Sequence, residues 1–215
     1  MRSIFLSIIL LSPASALAYD LVATDGCTPR SGAHCARANL KGVDWRNTTL
    51  RYGDFENAVL IDANLTRANM EGADLLAANL TGANLVRADL SAADLRGATL
   101  ERTRLSQAEL SAARMAGASL DCAVLRDARL VHTDLEGASL RNVDMTGAFL
   151  HGAWLVGARL QGADLRSADL SGANFTGANL AGADLRGANM TGADLTGAIL
   201  TDAKIDLATI TSVER

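Results

Sequence analysis

Residues Gly182–Leu200 read GADLRGANMTGADLTGAIL. Leu185, Met190, Leu195 and Leu200 stand five apart, each two residues after an alanine and, as far as Leu195, directly after Asp or Asn. Working outward from this stretch, every residue at a multiple of five from Leu40 to Leu200 is Leu, Met, Phe or Trp. That makes 33 consecutive positions, of which Leu fills 26; the others are Trp45, Phe55, Met70, Met115, Met145, Phe175 and Met190. Two residues before them, 27 of the 33 positions are Ala, and two residues after them 16 are Gly. Ile205 and Ile210 continue the pattern more weakly.

Physical chemistry restricts what can bury such a spacing. In an α-helix, five residues turn the chain through roughly 500°, so successive leucines step about 140° around the cylinder and form no stripe. Helix is therefore rejected despite the Ala and Leu content. In an extended chain, residues two apart share a face, which puts the Ala and Leu of one repeat together. Five is odd, however, and a straight strand would send every second Leu to the wrong side. The chain must turn once in each repeat, and Gly two after the Leu suits the positive φ of a type II turn. A coil with a corner every five residues, lined inside with Leu and Ala, meets all these conditions. The spacing does not set the number of corners in one coil.

The motif in GADLRGANMTGADLTGAIL, A-(D/N)-L-x-G in tandem, resembles the pentapeptide-repeat family over about residues 38–210. The resemblance implies an all-β fold, a right-handed quadrilateral parallel β-helix with four repeats per coil. Thirty-three repeats would give about eight coils, a rod roughly 40 Å long at the ~4.8 Å strand spacing. Leu40, Trp45, Leu65, Leu85, Leu105, Leu125, Met145, Leu165, Phe175 and Leu185 would then belong to the interior ladder.

At the N-terminus, Arg2 precedes an apolar run from Ile4 to Leu11, followed by a small-residue tail ending Ala16-Leu17-Ala18. This pattern reads as a secretory signal peptide over 1–18, cut before Tyr19, so that the mature chain is exported and periplasmic or secreted. The apolar run is far short of the ~20 residues that span a bilayer, and the mature chain is expected to hold no transmembrane segment. Residues 19–37 read as a cap on the first coil, lidded by Trp45, 38–210 as the β-helix, and 211–215 as a tail. Cys27 and Cys35 lie eight apart around TPRSGAH. In an oxidising compartment that spacing points to a local disulfide rather than to zinc, since no CxxC pair exists and only His34 is near. Cys122 is left over, as a free thiol or an intermolecular link. The last coil would expose apolar edges unless covered by the tail or by a second copy in an end-to-end homodimer.

The full chain has a net charge of −4, with 20 Lys and Arg against 24 Asp and Glu, enough for solubility and too little to define a partner. Between Thr99 and Arg129 the outward slot loses its Asp and Asn and reads Thr99, Arg104, Glu109, Arg114, Ser119, Val124, Arg129, with Arg102 and Arg126 beside it. Interleaved Glu101, Asp121 and Asp127 favour a solvated mixed belt over a dedicated anion site. In this reading the outward slot needs only to be soluble.

Two neighbouring slots turn aromatic: Phe149 and Trp154 replace the polar residue in consecutive repeats. With four sides per coil, Phe149 stacks above Arg129 and Trp154 above Asp134, while Val131 and Val156 fall nearby. Phe149, Trp154, Val131, Val156 and Arg129 thus form a candidate partner patch, weighed against simple surface drift. His132, His151 and Asp134 approach one another there, a weak candidate for metal. No nucleophile–base order, zinc-protease motif or phosphate loop appears, and an interior filled with Leu leaves no cleft for an enzyme. No catalytic residue, cofactor or resident metal is therefore expected. The function expected is a non-catalytic exported scaffold that binds a protein or envelope partner on its outer faces.

The resemblance offers an alternative, because some members mimic DNA and protect gyrase. A weak net charge, an export signal, uninterrupted coils and arginines on the faces all depart from that pattern, and nucleic acid is not expected as a partner. An ice-binding lattice would need long Thr ladders, and only fragments such as Thr176 with Thr196 exist.

Overall fold

The computed structural model describes residues 26–206. The expected signal peptide, the start of the expected cap and the chain from residue 207 onward lie outside the described residues. Within them the chain winds as a right-handed, four-sided parallel β-helix. Parallel bridges join residues twenty apart without a break in register, from His34 with Asp54 to Asp184 with Lys204. Twenty residues therefore make one coil, and each side contributes one outward-facing bridging residue between turns.

The repeat Ala63-Asn64-Leu65-Thr66-Arg67 shows why five residues suffice for one side. Ala63 N–H donates to the Leu60 carbonyl at 3.1 Å, closing the β-turn. Asn64 N–H donates back to Val43 O at 2.8 Å, while Leu65 and Arg67 N–H donate forward to Asn84 O and Val86 O at 2.8 and 3.0 Å. The fifth N–H, on Thr66, is met by a side chain, Asn64 Oδ1, at 3.3 Å. Every donor of the repeat is used, as a chain with so little regular strand requires.

The corner residue, two after the large apolar one, has positive φ at all 35 positions from Gly32 to Asp202. Seventeen of these are glycines and 18 are not, with non-glycine φ values between 53° and 61°. The left-handed turn is thus imposed by the winding itself, and glycine relieves its cost without being needed to create it. At four turns per coil the described chain makes nearly nine coils. Corner geometry is already present at Arg30–Ala33, whose turn closes at 3.1 Å, with Cys35 buried in the slot that leucine fills elsewhere.

The described interior is one continuous apolar core. Leu40, Trp45, Leu65, Leu85, Leu105, Leu125, Met145, Leu165, Phe175 and Leu185 are all buried with no solvent exposure. Trp45 lies inside the coil and packs against Phe55, with ring centroids 6.3 Å apart, so it fills the first coil where a lid over it was expected. Phe55 fits because residue 53 is glycine: a Cβ there would lie 2.5 Å from the phenyl ring. Threonines in the small interior slot bond their hydroxyls to carbonyls, Thr103 to Leu100 O at 2.7 Å and Thr133 to Leu110 O at 2.8 Å. A disulfide joins Cys27 to Cys35, both buried, with their Cα atoms 5.2 Å apart. At the other end Leu195, Leu200 and Ile205 are only partly buried. Among the described residues no helix is long and apolar enough to cross a membrane.

Candidate functional site

The outward slot does more than keep the surface soluble, contrary to the sequence reading. Its Asp or Asn accepts the N–H two residues ahead, the one donor of each repeat that the coil leaves over. Asn79 caps Thr81 at 3.0 Å, Asp134 caps Glu136 at 3.1 Å and Asp194 caps Thr196 at 2.8 Å. Glu109 reaches Ser111 in the same way at 3.0 Å. Where the slot holds Ser139, the cap comes from the coil below, as Arg141 N–H donates to Asp121 Oδ1 at 3.0 Å. The preference for Asp and Asn is therefore the preference seen at helix N-caps, carried by the same hydrogen bond.

When the outward slot holds Asp and the residue after the large apolar one is arginine, the guanidinium folds back onto the capping carboxylate. Arg46 meets Asp44 at 2.7 Å, and Arg96, Arg166 and Arg186 meet Asp94, Asp164 and Asp184 at 2.6 Å. The hydrogen bond from Arg186 holds the Asp184 carboxyl down at about 2, and Arg46, Arg96 and Arg166 lower their partners likewise. Burial pushes Asp144 up, but hydrogen bonds from Arg126 and Thr146 outweigh it and leave it lowered. The stacked aspartates 144, 164 and 184 are thereby neutralised in place.

Phe149 and Trp154 can do none of this, because neither side chain carries an acceptor. They bridge Arg129 and Asp134 in the coil below, on adjoining faces, and stand 41% and 58% exposed. The Arg129 guanidinium lies 5.4 Å from the Phe149 ring centroid and also pairs with Glu109 at 3.2 Å. Val131 and Val156 are half-buried on the corners flanking Trp154. At the corner between the two aromatics, the His132 and His151 rings meet edge to face at 5.6 Å. His132 leans over Gly152, where a Cβ would lie 2.5 Å from Nδ1, and His151 Nδ1 lies 2.9 Å from Ser171 Oγ. These histidines do not form a metal cluster with Asp134; among the described residues no group of metal-ligating side chains assembles.

Sequence reasoning missed Tyr52, the most exposed large apolar side chain among the described residues at 63%. It occupies the same corner as His132, four coils below, lies over Gly72, and carries the Arg51 guanidinium at 5.2 Å. The available signal was a bulky aromatic in a corner slot, which calls for positive φ. Cys122 is a free, exposed corner residue.

The model of pentapeptide repeats matches eight copies within residues 31–202, and the chain belongs to that family. Among solved structures it is similar to HetL of the cyanobacterium Nostoc sp. strain PCC 7120, a pentapeptide-repeat protein involved in regulating heterocyst differentiation. The two share 35% identity over 78% of this chain and 87% of that one, with a TM-score of 0.40. It is also similar to a trypsin-treated variant of QnrB1, a plasmid-mediated fluoroquinolone resistance protein. That match has 22% identity over 82% of this chain and 89% of the other, with a TM-score of 0.52, a likeness of fold. No curated protein matches the sequence.

Proposed function

We infer that the protein is an exported, non-catalytic scaffold that binds a protein or envelope partner through the outward aromatics of its middle coils. The observation that carries this reading is Phe149 beside Trp154: two consecutive repeats give up their capping residue for large exposed rings. A lost cap costs about 0.5–2 kcal/mol, and exposed aromatics of this kind are typical interface anchors. The Cys27–Cys35 disulfide supports export, since such bonds persist in oxidising compartments. Partly exposed Leu195, Leu200 and Ile205 support docking of a second copy at the C-terminal coil; sedimentation of the purified mature chain should then show a dimer. The gyrase-protecting alternative is less well supported, because arginines neutralise the aspartate ladders that would imitate phosphates.

The test exploits the repeat's own rule. Phe149→Asn with Trp154→Asp restores two caps, so the variant should be at least as stable as the parent. Photo-crosslinking in an envelope fraction should give a discrete adduct with the parent and none with the double variant. Undiminished capture by that variant would remove the aromatic patch from the function.

A further inference from the structure

One corner of the coil, on a different edge from the aromatic patch, carries an arginine cluster that the capping rule does not absorb. It lies between the face running from Asp44 to Lys204 and the next, and it is rich in arginine throughout its length. At both ends each arginine has a carboxylate: Arg46 with Asp44, Arg126 with Asp144, Arg166 with Asp164, Arg186 with Asp184. Between them the outward slots hold Asn64, Asn84, Arg104 and Val124, and no carboxylate is available on that face. Arg67, Arg87 and Arg104 form no ion pair among the described residues; Arg87 Nε donates to Gln107 Oε1 at 2.7 Å. The acidic residues on the adjoining face are engaged elsewhere, Asp89 with Ser91 and Glu109 with Ser111 and Arg129.

These three arginines open onto a groove of about 460 Å³ whose lining also includes Arg46, Thr66 and Ser106 and contains no acidic side chain. That volume lies in the range of small-molecule sites. Successive coils rise by about 4.8 Å, so the backbones of Arg67, Arg87 and Arg104 lie on three adjacent levels, with hydroxyls and amides beside them in the groove. Guanidinium forks pair with phosphate oxygens through parallel hydrogen bonds, so a row of them suits adjacent phosphates better than a single charge. Arg104 belongs to the stretch that the sequence alone presents as a solvated mixed belt; stacking joins it to Arg67 and Arg87, thirty-seven and seventeen residues away.

We propose that the groove at Arg67, Arg87 and Arg104 is a binding site for a multiply charged phosphate group, carried either by a small soluble molecule or by a lipid headgroup. The net charge of −4 opposes diffuse anion binding, so any affinity must be local. The probe is sodium tripolyphosphate, titrated calorimetrically into the mature chain at low and at physiological salt. Vesicles of phosphatidylcholine with cardiolipin, whose headgroup carries two phosphates, form the second arm. Arg67→Asn with Arg87→Asn removes two guanidiniums with a residue that accepts the left-handed corner, and Arg166→Gln, at a paired arginine of the same edge, is the control.

Saturable, salt-sensitive one-to-one binding is expected, weakened roughly tenfold or more in the double variant and unchanged in the control. Binding of tripolyphosphate alone would assign a soluble ligand, and binding of the anionic vesicles through the same arginines a headgroup; either upholds the site. Binding in neither arm, or equal losses in the double variant and the control, overturns it. An unchanged circular-dichroism melt in both variants separates loss of the site from loss of the fold.

Discussion

Each of the five residues in a repeat has one physical duty. Ala and Leu fill the interior, Asp or Asn caps the leftover N–H, and two residues turn the corner. Departures are informative because the duties leave so little slack. Gly53 departs from alanine to admit the Phe55 ring, and replacing it should be costly. Gly53→Ala is expected to destabilise the protein by about 1–3 kcal/mol, read from urea denaturation, because the added methyl must displace a packed ring. Ala173, which already stands two before Phe175, shows that the cost is specific to the Phe55 geometry; an unchanged midpoint for Gly53→Ala would refute it. The interior duty was legible in the spacing alone. The capping duty was not, because the composition of a slot does not reveal which backbone donor is left over.

At the scale of the coil, neighbours interact only with neighbours, so stability is local. The Cys27–Cys35 bridge closes a short loop at the first coil and should contribute about 2–3 kcal/mol there. Cys27→Ser should speed hydrogen exchange of the Cys35 and Arg37 amides, which bond to Asp54 and Glu56 of the second coil. Amides near Leu165 should stay protected. Uniform loss of protection along the rod would contradict a local staple. The pair could be read from its spacing, and Cys35 in the leucine slot from Ala33-His34-Cys35, which already keeps the order of the repeat. The turn from Arg30 onward shows that this slot belongs to a formed coil.

For the whole molecule, the arginine-backed aspartates set a pH dependence. Asp44, Asp94, Asp164 and Asp184 titrate lower in the folded chain than their ordinary value of 3.8, because each accepts hydrogen bonds from an arginine. Protonation therefore favours unfolding: the stabilisation is intact above about pH 4 and is lost as pH falls toward about 2, where Asp184 titrates. The pairs are exposed, so each contributes modestly. Thermal melts should be level from neutral pH to about pH 4 and drop below it, with a shallower drop after Arg166→Gln and Arg186→Gln. An identical acid limb in that variant would show that these pairs do not govern it.

The sequence alone determined that the chain must turn every five residues around a Leu and Ala interior, because odd spacing permits neither a helix nor a straight strand to bury it. It also marked Phe149 and Trp154 as outward, since their slot alternates with the interior ones. The resemblance implied that residues twenty apart meet, as they do. Tertiary structure decided what they do there: the cap from Asp121 to Arg141, Tyr52 lying over Gly72, and the row of arginines beginning at Arg67 that has no ion pair among the described residues. The physical reason is that spacing acts along the chain, whereas a partner for a charge or a ring is supplied across coils, where only the winding determines who is adjacent.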